Sequence, residues 1–157
     1  MTGLLILVVI GVYIFYNLIY ALSSFPLGIL ADKVGLKTIF VMGLIFFSVV
    51  YFGMAFNTNL YVFLGLFFFY GLYASATEGI SKAWISNITD KKDTATAIGT
   101  FAGLQSICTM VASSLAGVVW YEFGATTTFL LTAVATLGVV LYILTIHKSQ
   151  TGKAQAS

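Results

Sequence analysis

Apolar residues run along this chain in five long blocks, each closed by a short cluster of charged or turn-forming side chains. The blocks cover about 4–30, 38–56, 60–86, 95–119 and 126–146. A helix needs about 20 mostly apolar residues to cross the bilayer core, so each block predicts one spanning helix. The breaks are Asp32-Lys33-Val34-Gly35-Leu36-Lys37, Asn57-Thr58-Asn59, Asp90-Lys91-Lys92-Asp93 and Tyr121-Glu122-Phe123-Gly124. Connections this short make successive helices antiparallel. Pro26 sits in the last turns of the first block, where a kink is expected. Residues 149–157 are polar and predict a disordered tail. The expected architecture is an all-α membrane protein of five transmembrane helices.

Composition supports this. The apolar fraction is 60% and only 8% of residues are charged, against about 25% in an average soluble domain. Lipid removes the need for a polar surface. A net charge of +2 with no long basic cluster gives no reason to expect nucleic acid as a partner. Cys108 stands alone, so neither an intrachain disulfide nor a thiol metal site is expected. The lone His147 falls at the end of the last block, which rules out a Ser-His dyad at membrane depth. No catalytic residues, metal ligands or cofactor are expected. No Lys or Arg precedes the first block, and it is too long for a signal-peptide core, so it is read as a mature span.

Charge placement sets the expected orientation. Lys33 and Lys37 lie in the first connection, Lys91 and Lys92 in the third, and Lys148 and Lys153 in the tail, while the second and fourth hold no Lys or Arg. Lysine-bearing loops face the cytoplasm. Met1 is therefore expected outside and Ser157 inside. Asn87-Ile88-Thr89 matches a glycosylation sequon but falls on the cytoplasmic side, and is read as a chance match.

Polarity sorts the five helices. The second block has Ser48 as its only strongly polar residue, and the fifth carries threonines that can bond their own backbone; both are expected to face lipid. On the first, Tyr13, Tyr16, Asn17, Tyr20 and Ser24 share a face about 100° wide. That face either packs on a neighbour, with Asn17 as interhelical glue, or lines a solute cavity. On the third, Gly71, Ser75, Glu78 and Lys82 share a face. Glu78 lies about 12 Å inside the helix end. A charge at the bilayer centre costs roughly 2.5–3.5 kcal/mol, so such residues mark ion or substrate paths. The plainer reading is an i,i+4 pair with Lys82, whose ammonium snorkels to the headgroups. On the fourth, Gly99, Gly103, Ser106, Ser113 and Gly117 form a small-residue seam for close helix approach, with Gln105 and Thr109 beside it.

The segment Gly28-Ile29-Leu30-Ala31-Asp32-Lys33-Val34-Gly35-Leu36-Lys37 resembles the loop signature of the major facilitator superfamily, Gly-x-Leu-Ala-Asp-Arg/Lys-x-Gly-Arg-Arg/Lys. It departs at Leu36, where a basic residue is usual. Tyr70-Gly71-Leu72-Tyr73, Thr77-Glu78-Gly79 and Ser114-Leu115-Ala116-Gly117 follow in an order similar to the C-terminal half of bacterial members, from the eighth helix through the twelfth. The resemblance covers about residues 5–146. It implies a partial major-facilitator bundle, that is, a fragment, split product or truncated product of a twelve-helix transporter. It further implies a small-solute substrate moved by alternating access, a proton gradient as the driving force, and a missing N-terminal bundle as partner. Gly28, Asp32, Lys33, Gly35 and Lys37 would form a cytoplasmic latch, with Glu78 as an acidic partner. Tyr13, Tyr16, Asn17, Tyr20, Glu78, Lys82, Gln105 and Thr109 would border the solute or ion pathway. The setting would be the bacterial cytoplasmic membrane. Tyrosines with one buried acid suit amphipathic or cationic solutes exchanged for protons, with sugars and acids left open as alternatives. A non-transporting assembly or regulatory subunit is the alternative.

The topology is directly testable. A reporter at Ser157 that is active only when exported should stay silent. A Cys placed at Lys91 should resist an impermeant thiol reagent in intact cells; efficient labelling there would reverse the orientation.

Overall fold

The computed structural model describes residues 2–154, with side chains described over 6–145. Its elements are α1 (Thr2–Val34), α2 (Leu36–Phe56), α3 (Leu60–Ile88) and α4 (Thr94–Ala154). All four are long and apolar enough to cross a membrane. Four continuous helices thus stand where five were expected. The difference lies at Tyr121-Glu122-Phe123-Gly124, which is no loop: α4 runs through it and leaves helical geometry only at Gly124, with φ 81° and ψ 172°. Sixty-one residues of straight helix would reach about 90 Å, three times the bilayer core. The break at Gly124 divides α4 into a first arm (94–123) and a second arm (125–154). Glycine is what permits this backbone, because a side chain disfavours positive φ.

The first connection is equally tight. α1 continues through Pro26 to Val34, so Asp32 and Lys33 belong to its last turn. Only Gly35, at φ 94°, separates α1 from α2. Its N–H donates to the Ala31 carbonyl at 2.9 Å, and its own carbonyl accepts from Thr38 N–H at 3.1 Å. No side chain caps α2. Asn59 caps α3, its side chain accepting the Tyr61 N–H at 2.9 Å. The helix also extends to Ala154, over residues expected to be disordered; 155–157 lie outside the described residues.

Packing makes α3 and α2 the interior of the bundle. α3 lies along α1 on one side and α2 on the other, and α2 packs in turn on α4. Ala31, Ile39, Ala76 and Ile80 tie α1, α2 and α3 into one buried cluster. The expectation that α2 faces lipid is therefore corrected: Ile39, Val41, Ser48, Val50 and Ala55 are buried. The second arm, also expected on the outside, covers α2, burying Thr128, Ala133 and Val140. Ser48 donates to the Ala133 carbonyl at 3.4 Å across that contact. The threonines do bond their own helix as anticipated, Thr132 to the Thr128 carbonyl and Thr136 to that of Thr132.

Close backbone approach occurs at two glycines. A Cβ on Gly71 would lie 2.9 Å from Ile19 Cβ and 3.2 Å from the Tyr16 carbonyl of α1. One on Gly43 would lie 2.9 Å from Ala76 Cβ of α3. The seam expected at Gly99, Gly103 and Gly117 has nothing within 4 Å, and residues 102–115 of the first arm are exposed throughout. That seam is open because none of the other described helices reaches it.

Gly71→Ala should lower stability by about 1–3 kcal/mol through overpacking against α1. Gly103→Ala should be neutral or raise it by up to about 1 kcal/mol, since alanine is the better helix former. Thermal unfolding of the two variants in the same detergent would decide; equal melting points would contradict the contact.

Candidate functional site

The helix contacts assemble a continuous line of aromatic rings through the molecule. Tyr13 and Tyr20 flank Tyr16 on α1, with centroids 6.3 and 6.4 Å from it. Tyr16 meets Tyr70 of α3 at 5.3 Å, and Tyr70 meets Tyr73 at 5.5 Å. Phe47 of α2 lies 4.6 Å from Tyr73 and 4.3 Å from Tyr51. Tyr51 reaches Phe129 of the second arm at 5.8 Å, and Phe129 meets Trp120 of the first at 5.4 Å. Nearly all these separations lie in the range where tilted and edge-to-face pairs are favourable.

Glu78 stands at the edge of this belt. The Tyr20 hydroxyl donates to its Oε2 at 3.3 Å, at the long end of hydrogen-bond distances. Helix packing makes that bond possible: Gly71 admits α1 against α3, and Glu78 follows two turns later on the same helix. The side chain lines a cleft of about 310 Å³ among α2, α3 and the first arm of α4, shared with Phe40, Leu44, Tyr73, Thr77, Ser81, Lys82, Phe101 and Gln105. Thr77 and Ser81 donate to the carbonyls of Tyr73 and Thr77 on their own helix, at 2.9 and 2.6 Å. They therefore offer a ligand acceptor lone pairs, while Lys82 and Gln105 bring donors. On the α1 side, Tyr20, Ser24, Gly28, Asp32, Ser75 and Gly79 border a second space of about 330 Å³.

The structure gathers some of the expected pathway residues and separates others. Tyr16, Tyr20 and Glu78 join the belt or its edge, and Lys82 and Gln105 share the Glu78 cleft. Tyr13 stands at one end of the belt, beside an apolar groove it shares with Val9, Tyr16, Phe63, Phe67 and Tyr70. Asn17 is not glue between helices: its amide nitrogen donates to the Tyr13 carbonyl, 2.8 Å away on the same helix. Thr109 is exposed on the open arm. Of the latch residues, Gly28 and Asp32 line the α1 cavity, Gly35 and Lys37 line another beside Leu144, and Lys33 is exposed. Glu78, expected as their acidic partner, is bonded to Tyr20 instead.

Phe47, Tyr51, Tyr70 and Tyr73 were missed by sequence reasoning. The spacings Phe47–Tyr51 and Tyr70–Tyr73–Thr77 place each set on one helix face, a signal hidden among so many other aromatics.

A sequence profile of the Major Facilitator Superfamily matches residues 2–156, nearly the whole chain. The chain belongs to the major facilitator superfamily. An uncharacterized MFS-type transporter of Methanocaldococcus jannaschii is 35% identical over 115 residues, which is 73% of this chain and 29% of that protein. The chain thus spans under a third of that relative's length. No solved structure matches it. Superfamily membership makes it a multi-pass membrane protein of a transporter family, not an enzyme.

The belt should matter for stability where it crosses helices. Among the described residues Phe47 touches three rings, whereas the exposed Phe52 touches Phe56 alone. Phe47→Leu should cost about 1–2 kcal/mol and Phe52→Leu under about 0.5 kcal/mol. Denaturant melts of both variants check this, and a reversed order would contradict the belt's role.

Proposed function

We propose that this chain is part of a secondary transporter that moves a small solute across the cytoplasmic membrane by alternating access, driven by a proton gradient. The observation that carries the reading is the Tyr20–Glu78 hydrogen bond between α1 and α3, at the edge of a polar cleft in otherwise apolar helices. Ionisable groups at membrane depth are expensive and mark ion or substrate paths. A carboxylate held by a hydroxyl from another helix couples its protonation to the packing of the two. When Glu78 takes a proton, its attraction for the Tyr20 hydroxyl weakens and α1 is freer to shift against α3.

The two arms of α4 form the fourth and fifth crossings, with Met1 outside and Ser157 in the cytoplasm. The open face of the first arm, residues 102–115, receives helices of an N-terminal bundle. The relative's greater length supports such a partner.

The test joins this chain to its N-terminal bundle in proteoliposomes. Glu78→Gln should abolish proton-driven uptake or efflux, while exchange without a gradient should persist at saturating solute. Tyr20→Phe should slow proton-driven transport about tenfold or more, a typical loss for one hydrogen bond to a charged group. Unaltered proton-driven transport by Glu78→Gln would make Glu78 structural.

A further inference from the structure

The Glu78 cleft carries one charge of each sign. Glu78 and Lys82 stand four residues apart, hence on one face of α3, and both line the same space of about 310 Å³. The carboxylate takes its hydrogen bond from Tyr20 on α1, so its position is set from a neighbouring helix and does not depend on Lys82. Around the two charges the lining divides cleanly. Thr77, Ser81 and Gln105 are polar, while Phe40, Leu44, Tyr73 and Phe101 make an apolar, mostly aromatic wall.

A solute with a single charge is poorly served here. An organic cation drawn to Glu78 meets Lys82 within one helical turn, and an anion drawn to Lys82 meets Glu78. The like-charge contact offsets what the opposite one contributes. A molecule bearing both charges gives each side chain its complement. The volume is at the small end of the range for ligand pockets, which suits a solute of few atoms.

We infer that this cleft binds a zwitterionic solute of amino-acid size. Its ammonium sits on Glu78, its carboxylate on Lys82 and the Gln105 amide, and its apolar or aromatic side chain against Phe40, Tyr73 and Phe101. The inference rests on the transport reading above and narrows it to a substrate class. It narrows the expectation of amphipathic or cationic solutes, because the tyrosines and Glu78 are accompanied in the same cleft by a lysine.

The experiment uses the 157-residue chain in nanodiscs of neutral phospholipid, with binding followed by calorimetry. Three probes share one phenylethyl body: phenylalanine, 2-phenylethylamine and 3-phenylpropanoate. Phenylalanine should bind about tenfold tighter than either single-charge analogue, since each lost contact is a charge-assisted hydrogen bond. Lys82→Gln should erase its advantage over the amine, and Glu78→Gln its advantage over the carboxylate. The double swap Glu78→Lys with Lys82→Glu should keep the preference for the zwitterion. Either single-charge probe binding as tightly as phenylalanine would overturn the inference. So would a helical, monodisperse chain that binds none of the three, or a charge swap that loses the preference. These results leave the transport reading standing, because that reading is decided by proton-driven movement of any solute through the joined transporter.

Discussion

Lipid supplies no hydrophobic pressure between helices, so this bundle depends on how closely its backbones approach. Two glycines set that approach. Gly71 lets α1 lie against α3, and Gly43 brings α2 against α3 from the other side. Van der Waals contact is the main source of attraction between apolar helices in a membrane, and small residues maximise it. α3 thereby becomes the helix on which the rest is hung, with Ala74, Ser75, Ala76 and Thr77 buried along it. Among the described residues no buried side-chain nitrogen or oxygen lacks a hydrogen-bond partner. That is what a medium without water demands.

The site inherits its geometry from this packing. Bringing α1 to Gly71 carries the Tyr20 hydroxyl to Glu78, and bringing α2 to α3 carries Phe47 between Tyr51 and Tyr73. The aromatic line then makes the arrangement stiff, because rings from different helices hold one another at set angles. The polar groups lie at the edge of the line. One side of the Glu78 region is closed by α1 and the other faces the first arm of α4, which stands apart from the bundle. Packed and unpacked faces therefore meet at the same acidic side chain.

Much of this was legible in the sequence, for physical reasons that also explain what was not. Long apolar blocks announce membrane helices whatever their neighbours, and the motif from Gly28 to Lys37 pointed to the family that the comparisons establish. Glu78 stood out because a charge in an apolar helix is costly. The neighbours of α2 were misjudged, since interior and lipid-facing positions are equally apolar in a membrane protein. Ser48 was the one clue: it reaches the Ala133 carbonyl of the second arm. The connection at Gly124 read as a loop because Tyr-Glu-Phe-Gly carries turn and charge signals, yet a single residue at positive φ suffices to turn the chain. The seam at Gly99 and Gly103 misled in the opposite way. Small residues state that a helix can be approached closely, but not by which partner.

The central claim is that the face of α3 carrying Glu78 borders a water-accessible solute path. Its most direct test is cysteine accessibility in proteoliposomes, after the exposed Cys108 is replaced by alanine. Single cysteines at Ser81 and Gln105, which line the cleft, are compared with cysteines at Val49 and Phe52, exposed on α2. A hydrophilic thiol reagent should modify the first pair severalfold faster than the second. Equal, slow modification at all four positions would mean that the cleft is filled by lipid and that Glu78 lies on no aqueous path.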